Sequence, residues 1–303
     1  MRIRQIAFPC WVTCIAISVI VVSGTCTRAD DEKSSLNKAD YSLFNPVPDG
    51  ELRDFSTDRP GKSHSSKTVD AGHFQIESDF IIYTRDLGGS DRPSTRSYSI
   101  GTPIFKLGVT NSIDLEVATA LYNYLSQSGG GSPPLVAKGF GDTSVGAKIN
   151  LFGNDSGKQS FALLPFVKLP TAATGIGNGY AEYMLNAPYT IDFKPWSLTL
   201  EPNFGILRNS TNTAYRENYG FIANLNRSFL SDKLIAAIEV ATDFSSESES
   251  ESESESGSEP KVSIDPSLQY LLTRDLQVDA GIYIGTNRAT PKYIAYTGVS
   301  YRY

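Results

Sequence analysis

The segment "AEYMLNAPYTIDF", residues 181–193, decides the fold class of this chain. Apolar and aromatic side chains occupy every second position from Tyr183 to Phe193, while Glu182, Asn186 and Asp192 fall between them. Successive side chains of a strand point to opposite faces, so this pattern predicts a strand with one apolar and one polar face. Its length also suits a tilted strand that crosses a lipid bilayer.

The same alternation recurs from residue 72 to the C-terminus, for example in "GHFQIESDFIIYT" (72–84) and "SIDLEVATALYNYL" (112–125). Counting weaker segments, the sequence predicts twelve strands joined by loops that are alternately long and short. A transmembrane barrel with an even strand number accounts for that alternation of loop length. A soluble two-sheet protein accounts for the strands but not for the loops. We therefore predict an all-β fold, a transmembrane antiparallel up-and-down β-barrel of about twelve strands, of the outer-membrane type.

The two ends of the chain indicate export and membrane assembly. Residues 1–29 have a basic start, an apolar stretch and small residues before Asp30, which predicts a signal peptide; an uncleaved membrane helix is the alternative. The C-terminal "YTGVSYRY" (296–303) resembles the strand by which the barrel-assembly machinery recognises outer-membrane proteins. We expect the bacterial cell outer membrane as the location, with outer-membrane lipid and that machinery as partners.

Two polar segments flank or interrupt the predicted barrel, 72–303. Residues 30–71 are rich in Pro and Ser without a helical period, which predicts an irregular leader that could plug the lumen. Residues 245–260 contain a run of alternating Ser and Glu, which predicts a disordered acidic outer loop because the charges repel and nothing apolar can be buried.

Composition excludes several functions. The chain has two histidines, and its three cysteines all lie in the predicted signal peptide, which leaves little for metal or triad chemistry. Without residues 1–29, the chain carries 24 basic and 33 acidic residues, a net charge of −9, which disfavours nucleic acid as a partner. The Gly61-Lys62-Ser63 sequence ends like a phosphate-binding loop, but Ser56 stands where that loop needs glycine. We expect no metal and no cofactor.

Three segments together resemble a known family. "STDRPGKSHSSKTVDAGHFQIES" (56–78), "GFGDTSVGAKINLFG" (139–153) and "FALLPFVKLPTAATG" (161–175) are similar, in this order, to signatures of the phenol meta-degradation-pathway family of outer-membrane transporters. The resemblance implies a porin-like channel associated with the catabolism of aromatic compounds.

The predicted register places a set of charged side chains in the lumen: Glu77, Lys106, Glu116, Lys148, Lys168, Glu182 and Glu201. Opposite charges on neighbouring strands either hold a narrow barrel together or line a path for solutes. Ile104, Leu164 and Phe166 interrupt the polar face, and they either contact a hydrophobic or aromatic solute or pack against the leader. In the leader, Asp58 and Arg59 are plug candidates, with Arg59 paired to a lumen carboxylate; a periplasmic tail is the alternative.

The sequence favours one class of function over two others. We expect a channel that passes small, aromatic or hydrophobic molecules by passive diffusion. A structural or plugged barrel without transport is the alternative. A barrel enzyme such as a lipase would need a serine tied to His73 by a recognisable spacing, and the sequence offers none, so we expect no enzymatic activity.

Overall fold

The computed structural model describes residues 37–88, 93–129, 133–209, 212–245 and 259–303. The predicted signal peptide therefore lies outside the described residues. So does most of the predicted acidic loop, although its first residue, Ser245, is the last residue of a strand. In the described ranges, no helix has both the length and the apolar character needed to cross a membrane.

One antiparallel sheet contains every strand segment of the described residues. The segments are β1 Phe74–Asp86, β2 Ser94–Thr110, β3 Ile113–Ala118, β4 Tyr122–Ser128, β5 Leu135–Gly139, β6 Thr143–Phe152, β7 Gln159–Leu169, β8 Glu182–Asn186, β9 Tyr189–Phe193, β10 Trp196–Arg208, β11 Tyr215–Phe229, β12 Leu234–Ser245, β13 Lys261–Thr273, β14 Leu276–Gly285 and β15 Tyr293–Arg302. Three pairs of segments each continue one another beside shared neighbours: β3 with β4, β5 with β6, and β8 with β9. The fifteen segments therefore form twelve barrel strands.

The sheet closes on itself. Gln75 of β1 lies opposite Lys106 of β2 on one side and opposite Arg302 of the last strand, β15, on the other. Closure means that neither the first nor the last strand is left as an unpaired edge. The predicted twelve-stranded antiparallel barrel is confirmed. We call the end where β1 begins and β15 finishes the terminal end, because Phe74 and Tyr303 exchange main-chain hydrogen bonds there; the opposite end is the distal end.

Burial in the barrel is inverted relative to a soluble protein. In β3, Asp114 and Glu116 are 0% and 1% exposed, whereas Leu115 and Val117 are 49% and 39% exposed. The polar face therefore points into the barrel and the apolar face points outward. An outward apolar band over a polar interior is the arrangement of outer-membrane barrels.

Two strands that the alternation predicts to be continuous are interrupted. Residues 119–121 separate β3 from β4, where Gly101 of the neighbouring strand has a φ of +64° and its carbonyl accepts the N–H of Leu121. Between β8 and β9, Pro188 has no N–H to give to the ladder. Alternation of side chains does not report such local breaks.

The described part of the leader, residues 37–73, begins outside the lumen, where Phe44 is exposed, and its residues 54–69 lie inside the barrel. It contains two short 3-10 turns, Lys38–Asp40 and Asp49–Glu51, and is otherwise irregular. Ser66, Thr68 and Asp70 are nearly inaccessible to solvent, because inward-facing side chains of the strands surround them. The leader thus takes the place that a core would occupy in a soluble β-protein.

Candidate functional site: the leader in the lumen

Lumen carboxylates hold the main chain of the leader. Four buried carboxylates, on β1, β3, β10 and β12, each accept N–H groups from leader residues. The bonds run from Asp58 N to Glu77, from Lys62 N and Ser63 N to Glu239, from His64 N to Glu201 and from Val69 N to Asp114, with shortest N–O distances of 2.6–3.0 Å. A buried N–H without a partner costs about 1–3 kcal/mol, so the carboxylates replace the ladder partners that an irregular segment lacks.

Asp58 forms the centre of a buried charge cluster. Its carboxylate contacts the ammonium groups of both Lys106 and Lys148, with Lys148 Nζ 2.9 Å from Asp58 Oδ1. Lys106 also lies 2.5 Å from Glu77, and Lys148 lies 3.3 Å from Glu116. Burial alone would raise the pKa of Asp58, but the two ammonium charges outweigh burial and hold this pKa well below its usual range. Asp58 is therefore ionised and ties the leader to β2 and β6.

Arg59 bridges two strands of the wall. Its Nη1 lies 2.7 Å from Asp79 of β1, while Nη2 and Nε contact the two carboxylate oxygens of Asp279 of β14 at 2.6 and 3.1 Å. The paired contact with Asp279 uses the planar fork of the guanidinium, a geometry that lysine does not reproduce.

His64 forms a third tie. Its Nδ1 lies 2.8 Å from Glu201 Oε1, and its ring centroid lies 6.3 Å from that of Phe166. Burial opposes protonation, but the charge and hydrogen bond of Glu201 outweigh it and raise the pKa of His64 to about 9. The side chain is therefore an imidazolium at neutral pH, paired with a carboxylate of β10.

Residues 54–69 of the leader, here called the inserted segment, begin and end at the terminal end of the barrel. Asp70 accepts the N–H of Arg53 at 3.0 Å and pairs with Lys38 at 2.8 Å. Arg53 reaches Asp155 in the turn after β6, and Arg302 of β15 donates to the Arg53 carbonyl at 2.8 Å. Residues 54–69 therefore enter and leave the lumen through the same opening. Nothing in the local sequence signals this junction, because its partners are far apart in the chain.

The predicted lumen residues separate into two groups. Glu77, Lys106, Glu116, Lys148 and Glu201 come together around the leader, as described above. Lys168 and Glu182 lie 3.1 Å apart near the distal end, where Lys168 also pairs with Asp142 at 2.8 Å. In the residues that the structure describes, no group of His, Cys, Asp or Glu is arranged to hold a metal ion.

The three predicted apolar residues have different surroundings. Leu164 is fully buried, and Phe166 lies beside His64 of the leader. Ile104 borders a cavity of about 260 Å³ together with Asp79 and Thr102. His73, the candidate enzyme residue, bonds through Nε2 to the Val47 carbonyl at 2.6 Å and is buried, so it helps to hold the leader.

A second cavity lies on the other side of the leader. It measures about 230 Å³ and opens between leader residues 55–67 and the walls formed by β9 to β14. Its wall side chains are mainly uncharged hydrogen-bonding groups such as Thr199, Asn226 and Gln269. Arg59 borders both cavities, so the side chain that pairs with Asp79 and Asp279 contributes to the wall of each.

Comparison with known proteins decides the family. The family model described as "Putative MetA-pathway of phenol degradation" matches residues 57–303. The chain belongs to this family. The match begins one residue before Asp58, so the inserted segment with Asp58, Arg59 and His64 falls within what the phenol-degradation family model covers, whereas residues 37–56 precede it.

Solved structures share the fold at low identity. The COG4313 outer membrane channel from Pseudomonas putida F1 superposes with a TM-score of 0.58 at 13% identity, covering 81% of this chain and 99% of that one. The NanC porin (TM-score 0.44, 7% identity, 75% and 98% coverage) and the translocator domain of autotransporter NalP from Neisseria meningitidis (0.46, 11%, 76% and 88%) are more distant. None of the curated proteins matches the chain.

Proposed function

We propose that this chain is an outer-membrane channel for small molecules, aromatic and hydrophobic ones included, that the inserted leader segment closes and that opens by passive withdrawal of that segment. The observation that carries the proposal is the Asp58 carboxylate held between Lys106 and Lys148 in the middle of the lumen. The outward apolar surface of the strands and membership in the phenol-degradation family support the membrane location and the solute class.

The contacts of the inserted segment suit a removable plug. They are ion pairs and hydrogen bonds to inward-facing polar groups, such as Arg59 to Asp279 and His64 to Glu201. Water can replace such partners at modest net cost, because hydrogen bonds and paired charges in the closed state exchange for hydration in the open state. Since residues 54–69 enter and leave through the terminal end, withdrawal needs no threading.

Withdrawal would also expose the predicted contact surface for an aromatic solute. Phe166 now faces His64, and removing the leader would free its ring within the lumen. Ile104 already borders a cavity. Uptake of an aromatic solute should therefore fall when Phe166→Asp and Ile104→Asp are combined; unchanged uptake would remove the aromatic part of the proposal.

An engineered disulfide that can be reduced tests the proposal. The hydroxyl oxygens of Ser66 in the leader and Ser160 in β7 lie 2.5 Å apart, and both side chains are buried. The double variant Ser66→Cys with Ser160→Cys should form a disulfide that ties the inserted segment to the wall. In planar bilayers, the oxidised variant should be silent and the reduced variant should show discrete current steps.

Two comparisons show whether the disulfide experiment supports movement of the leader. The single variant Ser160→Cys should conduct equally with and without reductant. Equal conductance of the oxidised and reduced double variant would show that the leader need not move. A folded barrel that stays silent in both states would instead favour the plugged, structural barrel.

A further inference from the structure

We infer that the open lumen of this channel passes cations in preference to anions, an inference that rests on the proposed function. The wall around the leader is strongly acidic. Among the described strand residues, the buried charged side chains are the carboxylates Glu77, Asp114, Glu116, Glu201, Glu239, Asp265 and Asp279 and the basic Lys106, Lys148 and Arg302. The carboxylates lie on β1, β3, β10, β12, β13 and β14, so they surround the lumen.

The inserted segment supplies the opposite charge. Residues 54–69 contain Arg59, Lys62, His64 and Lys67 against two acids, Asp54 and Asp58, of which Asp54 is exposed. Arg59 pairs with Asp79 and Asp279, and His64 pairs with Glu201. The closed lumen is therefore close to electrically balanced only because the leader occupies it.

Lys62 extends this balance to the β12–β14 wall. Its main-chain N–H bonds to Glu239, and its ammonium group lies 3.3 Å from Ser263 Oγ and 4.8 Å from the ring centroid of Tyr283. Asp265, next to these residues, accepts a hydrogen bond from the Tyr296 hydroxyl at 2.6 Å. This side of the wall thus carries three buried carboxylates, Glu239, Asp265 and Asp279, and takes its positive charge from the leader.

Withdrawal removes these counter-charges and admits water. The basic residues of the wall keep a carboxylate partner. Lys106 lies 2.5 Å from Glu77, and Lys148 lies 3.3 Å from Glu116. Arg302 pairs with Asp275 at 2.6 Å. Glu201, Glu239 and Asp279 then lose the leader residues that contact them, which are His64, Lys62 and Arg59. Water that fills the lumen then hydrates these groups, and hydration favours the charged form of a carboxyl group.

Rings of ionised carboxylates attract cations and repel anions from a pore. The solute class that fits this lumen is therefore cationic or neutral, such as protonated amines and aromatic amines. Aromatic carboxylates of the same size should be disfavoured, because they meet the same negative field.

The reduced Ser66→Cys/Ser160→Cys channel gives the measurement. Its reversal potential in a tenfold KCl gradient should have the sign of potassium permeation, with a several-fold preference for potassium over chloride. The triple substitution Glu201→Gln, Glu239→Gln and Asp279→Asn in this background should reduce that preference. Asp232→Asn, at an exposed turn position outside the lumen, should leave it unchanged.

The outcomes separate this inference from the proposed function. Current steps with no ion preference, or with a preference for chloride, would overturn the cation selectivity and leave the channel function intact. Silence of the folded, reduced channel would overturn both. The reversal potential of the parent background decides the question even if the triple variant does not fold.

Discussion

The carboxylate of Asp58 and the ammonium group of Lys148 form an ion pair in the middle of the barrel, with distances of 2.9 and 3.1 Å from Nζ to the two carboxylate oxygens. Lys106 contacts the same carboxylate from the neighbouring side. One leader side chain therefore pairs with two buried wall cations, and its loss should affect leader docking more than any other single change in the segment.

Replacing Asp58 by Asn should loosen the leader. Removing one partner of a buried ion pair costs up to about 3–5 kcal/mol. In Asp58→Asn, Lys106 and Lys148 keep only Glu77 and Glu116 as charged partners. We expect trypsin to cut after Lys62 and Lys67 much faster in the folded Asp58→Asn barrel than in the parent.

Asp54→Asn is the matched control for that experiment, since Asp54 lies in the same leader but is exposed. It should leave the cleavage rate unchanged. Equal protection of Asp58→Asn and the parent would mean that the charge cluster does not hold the leader.

Leader docking should weaken at alkaline pH through His64. Glu201 raises the pKa of docked His64 to about 9 from a usual value near 6.5. A raised pKa stabilises the docked form fully below about pH 6.5, and this contribution is lost as the pH rises through about 9. The contribution is at most about 3 kcal/mol.

Single-channel recording checks this dependence. The open fraction should rise between about pH 7 and pH 9.5 in the parent. The charged groups that act on His64 are Glu201, Asp58 and Lys148. In His64→Gln the rise should disappear; persistence of the rise would assign it to another group.

Removing the Arg59 side chain should enlarge the two cavities at the position that both of them share. Arg59→Ala deletes the contacts with Asp79 and Asp279 and opens space at the position that borders both cavities. We expect larger and more frequent current steps than in the parent. Arg59→Lys should give intermediate behaviour, because one ammonium group cannot reproduce the paired contact.

Arg216→Ala serves as the comparison for Arg59, since Arg216 is exposed on β11 near the distal end. Its currents should equal those of the parent. A closed and unaltered Arg59→Ala channel would show that the constriction lies elsewhere in the lumen.

A methyl group at Gly108 should displace the leader where it joins the barrel. A Cβ built on Gly108 would lie 2.0 Å from the Asp70 carbonyl oxygen, a main-chain atom that cannot turn away. Gly108→Ala should therefore increase the tryptic cleavage of the leader. Gly50→Ala, at a leader position with open space around its Cβ, should not, and identical protection of both variants would contradict the proposed close packing.

The barrel could be predicted from the amino-acid sequence. Alternation such as that of residues 181–193 is a local property of each strand, so it specifies the lipid-facing and lumen-facing sides before any strand is paired. Twelve such segments, together with loop lengths, were enough for the strand number. The alternation did not predict the two breaks in the strands. The break at residues 119–121 depends on Gly101 of the neighbouring strand, and the break at Pro188 depends on one missing N–H.

The contacts of the lumen residues depend on the tertiary fold and could not be predicted from local sequence. Alternation placed Lys106, Lys148 and Phe166 on the inner side, but their partners, Asp58 and His64, lie 48 or more residues away along the chain. The leader itself has no periodic pattern, so no local signal specifies its path. Its position follows from the closed barrel, which brings carboxylates from β1, β3, β10 and β12 within hydrogen-bonding distance of one irregular segment.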